Sequence, residues 1–451
     1  MSEPAFRRIH FIGVGGTGLS GLARLSLLMG YQVSGSDRQR PPLISDLESL
    51  GLRFQGGHVP DLVRQADLVV VSSAVANDNP EAVWAREAGI PVWKRHEFIP
   101  WLSGGRRMVA IAGTHGKTTT TALLSHILVE CGNDPTCLVG GLVHNWGSNA
   151  RLGSGDLFVV EADEYDRTFL ALNPWLGVIT SVEMDHPDCY PSLADLDDAF
   201  GQFVVRCRRV LACGDQDGVK RAVATAANVR WYGADSGADW RSLAWEGRTD
   251  GTRFKLAGPD GREHDATVPL WGEHSVANAL AAIAAAYEVG VPPERALPAL
   301  LSFKGVARRF SLRGCCSGVY LVDDYGHHPT QIRSVLDAAR QRFPGAREVL
   351  VFQPHTFSRT EALFDEYATA LSQADRAFVL PVYGARESGD AHALSARLAA
   401  AAGGEVLPGV EQASERLLAV LRPGDVLLNL GAGDNEQLTA ELMRRMGCDG
   451  G

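Results

Sequence analysis

Hydrophobic residues in this chain follow two alternating patterns: short unbroken runs that stop at glycine, serine or an acid, and stretches where apolar positions recur at helical spacing. The first pattern reads as buried parallel strands, the second as the helices that cover them. Strands are predicted at Arg8-Ile-His-Phe-Ile, Gly30–Asp37, Leu68–Ser73, Ile90–Trp93, Met108–Ala112, Leu157–Glu161, Leu176–Glu183, Val319–Asp324, Glu348–Phe352, Ala377–Leu380 and Asp425–Leu430. Helices are predicted at Leu19–Met29, Ser275–Val289, Thr330–Arg342 and Thr360–Gln373. Between Val229 and Leu270 the pattern shortens, and Asp250-Gly251 and Asp260-Gly261 are strong hairpin signals, so a small antiparallel meander is expected there.

Strand–helix alternation repeated along the chain makes this an α/β protein. Three domains in series are expected: a Rossmann-like N-terminal domain (residues 1–104), a central P-loop ATPase-like domain that includes the meander (105–307), and a C-terminal Rossmann-like domain (308–451). Trp101-Leu-Ser-Gly-Gly-Arg-Arg is the expected linker between the first two.

At 451 residues the chain is too long for one hydrophobic core, which fits that division. A net charge of -10 and a pI near 5.7 argue against broad attraction to nucleic acid or an anionic membrane. No apolar stretch is long enough to span a bilayer, and Met1-Ser-Glu-Pro-Ala lacks the layout of a signal peptide, so a cytoplasmic location is expected. The eight cysteines show no C-x-x-C pair and no metal-ligand spacing. Cys131, Cys137, Cys189, Cys207, Cys213 and Cys448 read as free thiols, and adjacent Cys315-Cys316 as small apolar residues.

The most informative segment is Met108-Val-Ala-Ile-Ala-Gly113-Thr-His-Gly116-Lys117-Thr118-Thr119, a buried strand, a glycine turn and a helix start carrying Lys-Thr. N–H groups at a helix N-terminus lack intrahelical acceptors and lie at the positive end of the dipole, so they bind phosphate oxygens. Lys117 would reach the outer phosphates and the Thr118 hydroxyl a bridging Mg²⁺. As a loop residue Lys117 is expected to contribute charge to the reaction and little to the core. The first glycine of the usual pattern falls at Ile111, so the match is incomplete. ATP and Mg²⁺ are the implied cofactors.

A second glycine turn, Gly13-Val-Gly15-Gly16-Thr17-Gly18, follows the first strand, with Asp37 at the end of the second. That is the dinucleotide fingerprint, and taken alone it predicts NAD. Two acidic clusters, Glu161-Ala-Asp163-Glu164-Tyr-Asp166 and Glu183-Met-Asp185-His186-Pro-Asp188, fall at strand ends of the central domain, where Glu161 and His186 are the candidate metal ligands. In the C-terminal domain Asp323-Asp324-Tyr325-Gly-His327-His328 and Gln353-Pro-His355-Thr356-Phe-Ser-Arg359 each follow a strand and precede a helix. Adjacent histidines make poor co-ligands for zinc, so a polar pocket that binds a carboxylate through Arg359 is the expectation.

Taken together, His10-Phe-Ile-Gly-Val-Gly-Gly-Thr-Gly-Leu-Ser-Gly, Ser34-Gly-Ser-Asp37, Ala112-Gly-Thr-His-Gly-Lys-Thr-Thr-Thr-Thr, Glu161-Ala-Asp-Glu, Asp185-His186, Gly272-Glu-His-Ser-Val-Ala-Asn278-Ala, Arg308-Arg309-Phe310, Asp323-Asp-Tyr-Gly-His-His-Pro and Phe352-Gln-Pro-His355 resemble the ATP-dependent Mur ligases, in order and over nearly the whole chain. The resemblance replaces the NAD reading of the first turn with a UDP pyrophosphate. It implies an ADP-forming amide ligase of cytoplasmic peptidoglycan precursor synthesis, with UDP-N-acetylmuramate, L-alanine and ATP as substrates and no nucleic-acid or membrane partner. It further implies that the UDP-sugar meets Gly15, Gly16, Thr17, Asp37, Ser72, Ser73, Arg95 and His115. ATP would meet Gly113, Thr114, His115, Gly116, Lys117, Thr118, Thr119, Asn278, Arg309 and Asp324; metal would be held by Thr118, Glu161 and His186; the amino acid would meet Tyr325, His327 and Arg359. Lys117, Thr118, Glu161 and His186 form the implied catalytic set, and His186 and His327 are by type the candidates for the base.

Tyr165 stands where many relatives carry serine, and Thr356 where some carry arginine. Gly13-Val-Gly-Gly-Thr-Gly-Leu-Ser and Gly326-His-His favour members that add a single amino acid over those that attach a whole tripeptide. An NAD-dependent dehydrogenase has no use for Gly116-Lys117-Thr118.

Overall fold

Buried runs of branched and aromatic residues place the strands where the sequence puts them, and the chain between them folds back as helices over both faces. The computed structural model describes residues 6–448. It divides into two units, the first made of the chain up to Val182 with Leu196–Tyr232 and Ala281–Ala299, the second of Glu183–Asp195, Gly233–Leu280 and the chain from Leu300 onward. No helix among the described residues is long and apolar enough to cross a membrane.

The first unit opens with β1 (Arg8–Ile12), β2 (Gln32–Asp37), β3 (Arg53–Gly56), β4 (Leu68–Val71) and β5 (Val92–Lys94), all parallel in the order β3-β2-β1-β4-β5. The order reverses between β1 and β4, and the crevice at such a switch point is where open α/β sheets bind ligands. The Gly13–Gly18 turn sits there, between β1 and the helix Thr17–Leu28. Phe11, Ile12, Leu22, Leu25 and Phe98 are fully buried around this sheet.

The same unit continues with β6 (Arg107–Ala112), β7 (Thr136–Val143), β8 (Ser148–Arg151), β9 (Leu157–Glu161), β10 (Leu176–Ile179), β11 (Arg209–Cys213) and β12 (Val229–Gly233). Their order is β12-β11-β10-β6-β9-β7-β8, parallel except for β8. β6, which carries the phosphate loop, lies at the centre. Val109 to Ala112 and, in the helix Glu273–Glu288, Ala281 to Ala286 are fully buried, the small alanines letting that helix pack closely.

In the second unit β13 (Trp240–Arg248), β14 (Gly251–Ala257) and β15 (Glu263–Val268) form the expected antiparallel meander, with Arg248 opposite Gly251 at the first turn. A six-stranded sheet follows: β16 (Ser311–Cys316), β17 (Val319–Asp324), β18 (Glu348–Gln353), β19 (Arg376–Val379), β20 (Glu405–Val406) and β21 (Val426–Gly431), in the order β16-β17-β21-β18-β19-β20, with only β16 antiparallel. Val322, Leu350, Phe352 and Leu428 from its strands pack against Ile332, Leu336 and Tyr367 from its helices.

Four expectations need correction. Trp101, Leu102 and Ser103 are not linker but the end of the helix Arg95–Ser103, because Trp101 packs on Phe98 at 5.3 Å and Phe6 at 5.8 Å between ring centroids; left-handed Gly104 then stops the helix. The helix predicted over Thr360–Gln373 is two, Phe357–Ala362 and Phe364–Leu371, broken at Leu363. The strand predicted over Leu176–Glu183 ends at Ile179, because Thr180 and Ser181 turn their hydroxyls onto the phosphate loop. Cys448 is not a free thiol: it is bonded to Cys316 of β16, their Cα atoms 5.8 Å apart.

Candidate functional site

The phosphate loop is built around Gly113, whose φ of 138° suits glycine alone. A Cβ there would also collide with Thr180 Oγ1 and the Ser181 backbone. Ser181 braces the loop, its carbonyl accepting from Thr114 N at 2.8 Å and its hydroxyl from His115 N at 2.8 Å. Thr180 Oγ1 donates to His115 O at 2.5 Å. Gly116, left-handed at φ 80°, caps the helix Lys117–Glu130 and turns that helix's N-terminus onto the loop.

Lys117 folds back over this loop. Its ammonium donates to Gly113 O at 2.5 Å and to Glu164 at 2.7 Å, with side-chain exposures of 13% for Lys117 and 1% for Glu164. Burial works against the ammonium's charge, but Glu164, with Asp163 and Glu161 behind it, outweighs burial and holds the Lys117 pKa above its ordinary value. This corrects the expectation of a lysine with little structural role. Beside it, Thr118 Oγ1 donates to Glu161 Oε1 at 3.1 Å, and Glu161 Oε2 accepts from Gly140 N at 2.7 Å.

The Gly13–Gly18 turn is held from below. Gly13 N and Val14 N both donate to Ser36 O, at 2.8 and 3.1 Å, and Gly15 N donates to Asp37 Oδ2 at 2.9 Å. Asp37 is therefore engaged by the turn itself, a role the dinucleotide fingerprint does not give it. Ser72 packs under Gly13, its Cβ 3.1 Å from where a Gly13 Cβ would sit. Arg95 lies on the turn from the other side, Nη1 only 2.6 Å from where a Gly18 Cβ would be.

One acidic segment ties the two turns together. At the end of β9 and just beyond it, Glu161 and Glu164 face Thr118 and Lys117, while Asp163 Oδ2 takes Arg95 Nη2 at 2.5 Å, and Asp166 Oδ2 accepts from Ser73 Oγ at 2.9 Å and Lys94 Nζ at 3.2 Å. Asp166 and Arg167 both adopt positive φ, 55° and 53°, conformations costly for side-chain residues and common where a site fixes the backbone. Sequence reasoning named Glu164 and the aspartates only as supporting groups. The signal available was their alternation, with Glu161 and Glu164 three residues apart.

The second unit holds its own polar cluster. Arg359, buried in the helix Phe357–Ala362, donates through Nε to Asp185 Oδ1 at 2.6 Å and through Nη2 to His186 Nδ1 at 3.2 Å, and its Nη1 lies 3.4 Å from His355 Nδ1. Burial pushes the Asp185 carboxyl up, but His186 and Arg359 outweigh it and hold it well below the ordinary carboxylate range. His327 Nδ1 donates to Tyr325 O at 3.0 Å, which leaves Nε2 with the lone pair, and burial together with Arg359 holds its pKa well below that of an ordinary histidine. Sequence reasoning placed Tyr325, His327 and Arg359 in one pocket; Tyr325 and His327 lie edge to face at 5.6 Å, and His327 and His355 at 6.0 Å. The sequence alone does not single out Asp185, the partner of Arg359, from the neighbouring acids. Thr330 Oγ1 donates to Glu183 at 2.8 Å in the same unit.

Asp324 is buried, and both its oxygens accept backbone N–H groups, from Phe310 at 2.7 Å and Gly326 at 2.6 Å. It folds the turn that carries Arg308 and Arg309 over the Tyr325 ring, at 4.9 and 5.4 Å. Burial raises its carboxyl pKa despite Arg309 nearby. Asn278 is buried in the helix Glu273–Glu288.

Three family models match the chain in series: the Mur ligase family catalytic domain at residues 8–107, the Mur ligase middle domain at 111–286, and the Mur ligase glutamate ligase domain at 308–433. The chain is 42% identical over 460 residues to a UDP-N-acetylmuramate–L-alanine ligase of Roseiflexus castenholzii, covering 94% of both. It is 42% identical over 452 residues to the ligase of the same name from Anaeromyxobacter sp. (strain Fw109-5), covering 98% of both. Among solved structures it superposes on a UDP-N-acetylmuramate-alanine ligase from Thermotoga maritima with a TM-score of 0.85 and 28% identity, covering 98% of this chain and 99% of that one. A murein peptide ligase from Psychrobacter arcticus gives 0.77 and 26% over the same shares.

Proposed function

This chain belongs to the Mur ligase family, and on that premise we propose that it joins L-alanine to the lactyl carboxylate of UDP-N-acetylmuramate while ATP is converted to ADP and phosphate. The observation that carries the reading is the segment Glu161–Asp166, which engages the phosphate loop through Glu161 and Glu164 and the nucleotide-sugar turn's neighbours through Asp163 and Asp166. A ligase that activates a carboxylate with ATP needs its acceptor and its nucleotide in register, and here one short segment contacts both sites. The reading keeps three domains, 1–104 for the UDP-sugar, 105–307 for ATP and 308–451 for the amino acid, and a cytoplasmic setting.

A carboxylate is a poor electrophile. In the first step its oxygen attacks the γ-phosphorus, the bond to the β-phosphate oxygen breaks, and ADP leaves an acyl phosphate. The amine of L-alanine then attacks the acyl carbon, passes through a tetrahedral adduct and expels phosphate as the amide forms, losing its proton.

Lys117 and the N-terminal N–H groups of the helix Lys117–Glu130 would hold the transferred phosphoryl group and offset its charge, while the turn at Gly15, Gly16 and Thr17, with Arg95, would hold the UDP pyrophosphate. Thr118 Oγ1 and the Glu161 carboxylate, 3.1 Å apart, are hard oxygen donors that suit magnesium, and the family resemblance adds His186. Bound there, the ion would supply further neutralisation of phosphate charge. Arg359 would pair with the L-alanine carboxylate through the donors that Asp185 leaves, and His327, neutral with its lone pair on Nε2, can accept a proton from the amine.

The test is phosphate release from ATP in the presence of UDP-N-acetylmuramate, with each single amino acid and with a murein tripeptide. Release that depends on L-alanine supports the reading. Release with the tripeptide alone would make the protein a recycling ligase, and no release with either would remove the assignment.

A further inference from the structure

Beneath the nucleotide-sugar turn lies a charged network that the reaction itself does not use. Glu81 is the second residue of the helix Pro80–Glu87, where Asn79 caps the helix by accepting from Glu81 N at 3.0 Å and Ala82 N at 3.3 Å. Its carboxylate is fully buried, beside a core that includes Ile12, Val69 and Ala82. Three donors from three separate segments converge on it: His10 Nε2 of β1 at 3.1 Å, Ser36 Oγ of β2 at 2.5 Å, and His58 Nδ1 beyond β3 at 2.9 Å. His10 is also fully buried and bonds Ser34 Oγ through Nδ1 at 2.8 Å. Burial pushes the Glu81 carboxyl up, but the bonds from His10, Ser36 and His58 outweigh it and leave its pKa below the ordinary value.

A buried carboxylate held this way adds little net stability over an apolar core of the same shape. What it does fix is the position of Ser36. The carbonyl of that residue receives the first two N–H groups of the glycine turn, Gly13 N and Val14 N, and the next residue, Asp37, accepts from Gly15 N through its side chain and from Gly57 N through its carbonyl at 2.8 Å. The Ser36-Asp37 pair is thus the rung from which the turn hangs, and the Glu81 carboxylate clamps that rung from inside the domain.

We infer that Glu81 is a positioning residue for the nucleotide-sugar site: by accepting from Ser36 Oγ while His10 and His58 hold its own carboxylate, it sets the shape of the glycine turn that binds the UDP pyrophosphate. The inference rests on the reading that this turn binds UDP-N-acetylmuramate. It gives the buried acid a task no packing argument supplies, since removing it should affect one substrate and not the others.

The experiment uses the full-length enzyme and two variants, Glu81→Gln and Ser36→Ala, with UDP-N-acetylmuramate titrated by calorimetry and KM measured for all three substrates. The first variant keeps volume and removes the charge; the second keeps Glu81 with both histidines and removes the link to the rung. Both should raise Kd and KM for the nucleotide sugar by about tenfold or more, on the scale at which small misplacements are felt. The KM values for ATP and L-alanine and the kcat at saturation should stay within about twofold. Should Glu81→Gln fail to fold, Ser36→Ala alone decides. Unchanged nucleotide-sugar affinity in the folded variants overturns the inference while wild-type binding still upholds the substrate; an equal rise in all three KM values also overturns it, leaving Glu81 a core residue. Wild-type enzyme that ignores UDP-N-acetylmuramate overturns the underlying assignment instead.

Discussion

Replacing Lys117 by alanine should do two separable things. The Lys117 and Glu164 side chains are 13% and 1% exposed and 2.7 Å apart, so truncating the lysine leaves a carboxylate buried without its nearest cation. Breaking a buried pair from one side typically destabilises by about 3–5 kcal/mol. Losing the lysine's charge from the phosphoryl-transfer step should separately lower turnover by about 10²-fold or more. The double variant Lys117→Ala with Glu164→Gln distinguishes these effects: a neutral amide of similar volume removes the stranded charge, so most of the lost stability should return while turnover does not. Urea unfolding of the three proteins, with phosphate release at saturating ATP, reads both quantities. Near wild-type turnover in Lys117→Ala would refute the phosphate-loop role. Equal stability in the single and double variants would refute the claim that Glu164 is a charge held by Lys117.

Three further outcomes are expected. Glu161→Ala and His186→Ala should each raise the magnesium concentration for half-maximal activity by about 10-fold to 100-fold; an unchanged magnesium profile in both would remove them from the metal site. Arg359→Lys keeps a charge but not the fork that reaches Asp185, His186 and His355, so KM for L-alanine should rise about tenfold with ATP and nucleotide-sugar constants spared, whereas equal weakening of ATP would argue against an amino-acid pocket there. Stability should fall with acid: burial, then Arg359 and His186, push the His355 pKa from 6.5 to about 4, so the unfolded chain takes up the proton first, protons favour unfolding below about pH 6.5, and the loss levels off near pH 4. At 1.36 kcal/mol per unit the loss from this group is at most about 3 kcal/mol, and His355→Gln should flatten the slope; parallel slopes in variant and wild type would refute it.

The parts of this molecule legible in its sequence are those fixed by local backbone chemistry. Gly113 and Gly116 adopt positive φ in a strand-to-helix turn, and Gly13 does so at the first turn, so spacing alone located both glycine turns. Hydrophobic runs located β4, β6, β9 and β18 because a strand buried on both faces has few polar positions to interrupt it. The hairpin β7–β8 escaped, as Gly140 and Gly141 dilute its apolar pattern. What spacing could not show is which partner each charged residue takes. Glu164 lies 47 residues from Lys117, and Asp185 lies 174 from Arg359, and nothing local distinguishes either acid from its neighbours.

The same limit explains why the glycine fingerprint pointed to NAD. Its predictive weight rests on the acid after the second strand being available for a ribose, and in this fold Asp37 is turned onto Gly15 N while Arg95 covers the turn at Gly18. Asp37 is oriented by the turn through Gly15 N and the Arg95 guanidinium stands beside Gly18, an arrangement that the glycine spacing alone does not show. Arg95 itself is shared with Asp163, so an arriving pyrophosphate would compete with that carboxylate for the guanidinium, on the segment whose Glu164 holds Lys117. What separates this reading from a dehydrogenase is therefore Gly116-Lys117-Thr118 and the family match along the chain, since the glycine turn itself suits a pyrophosphate in either case.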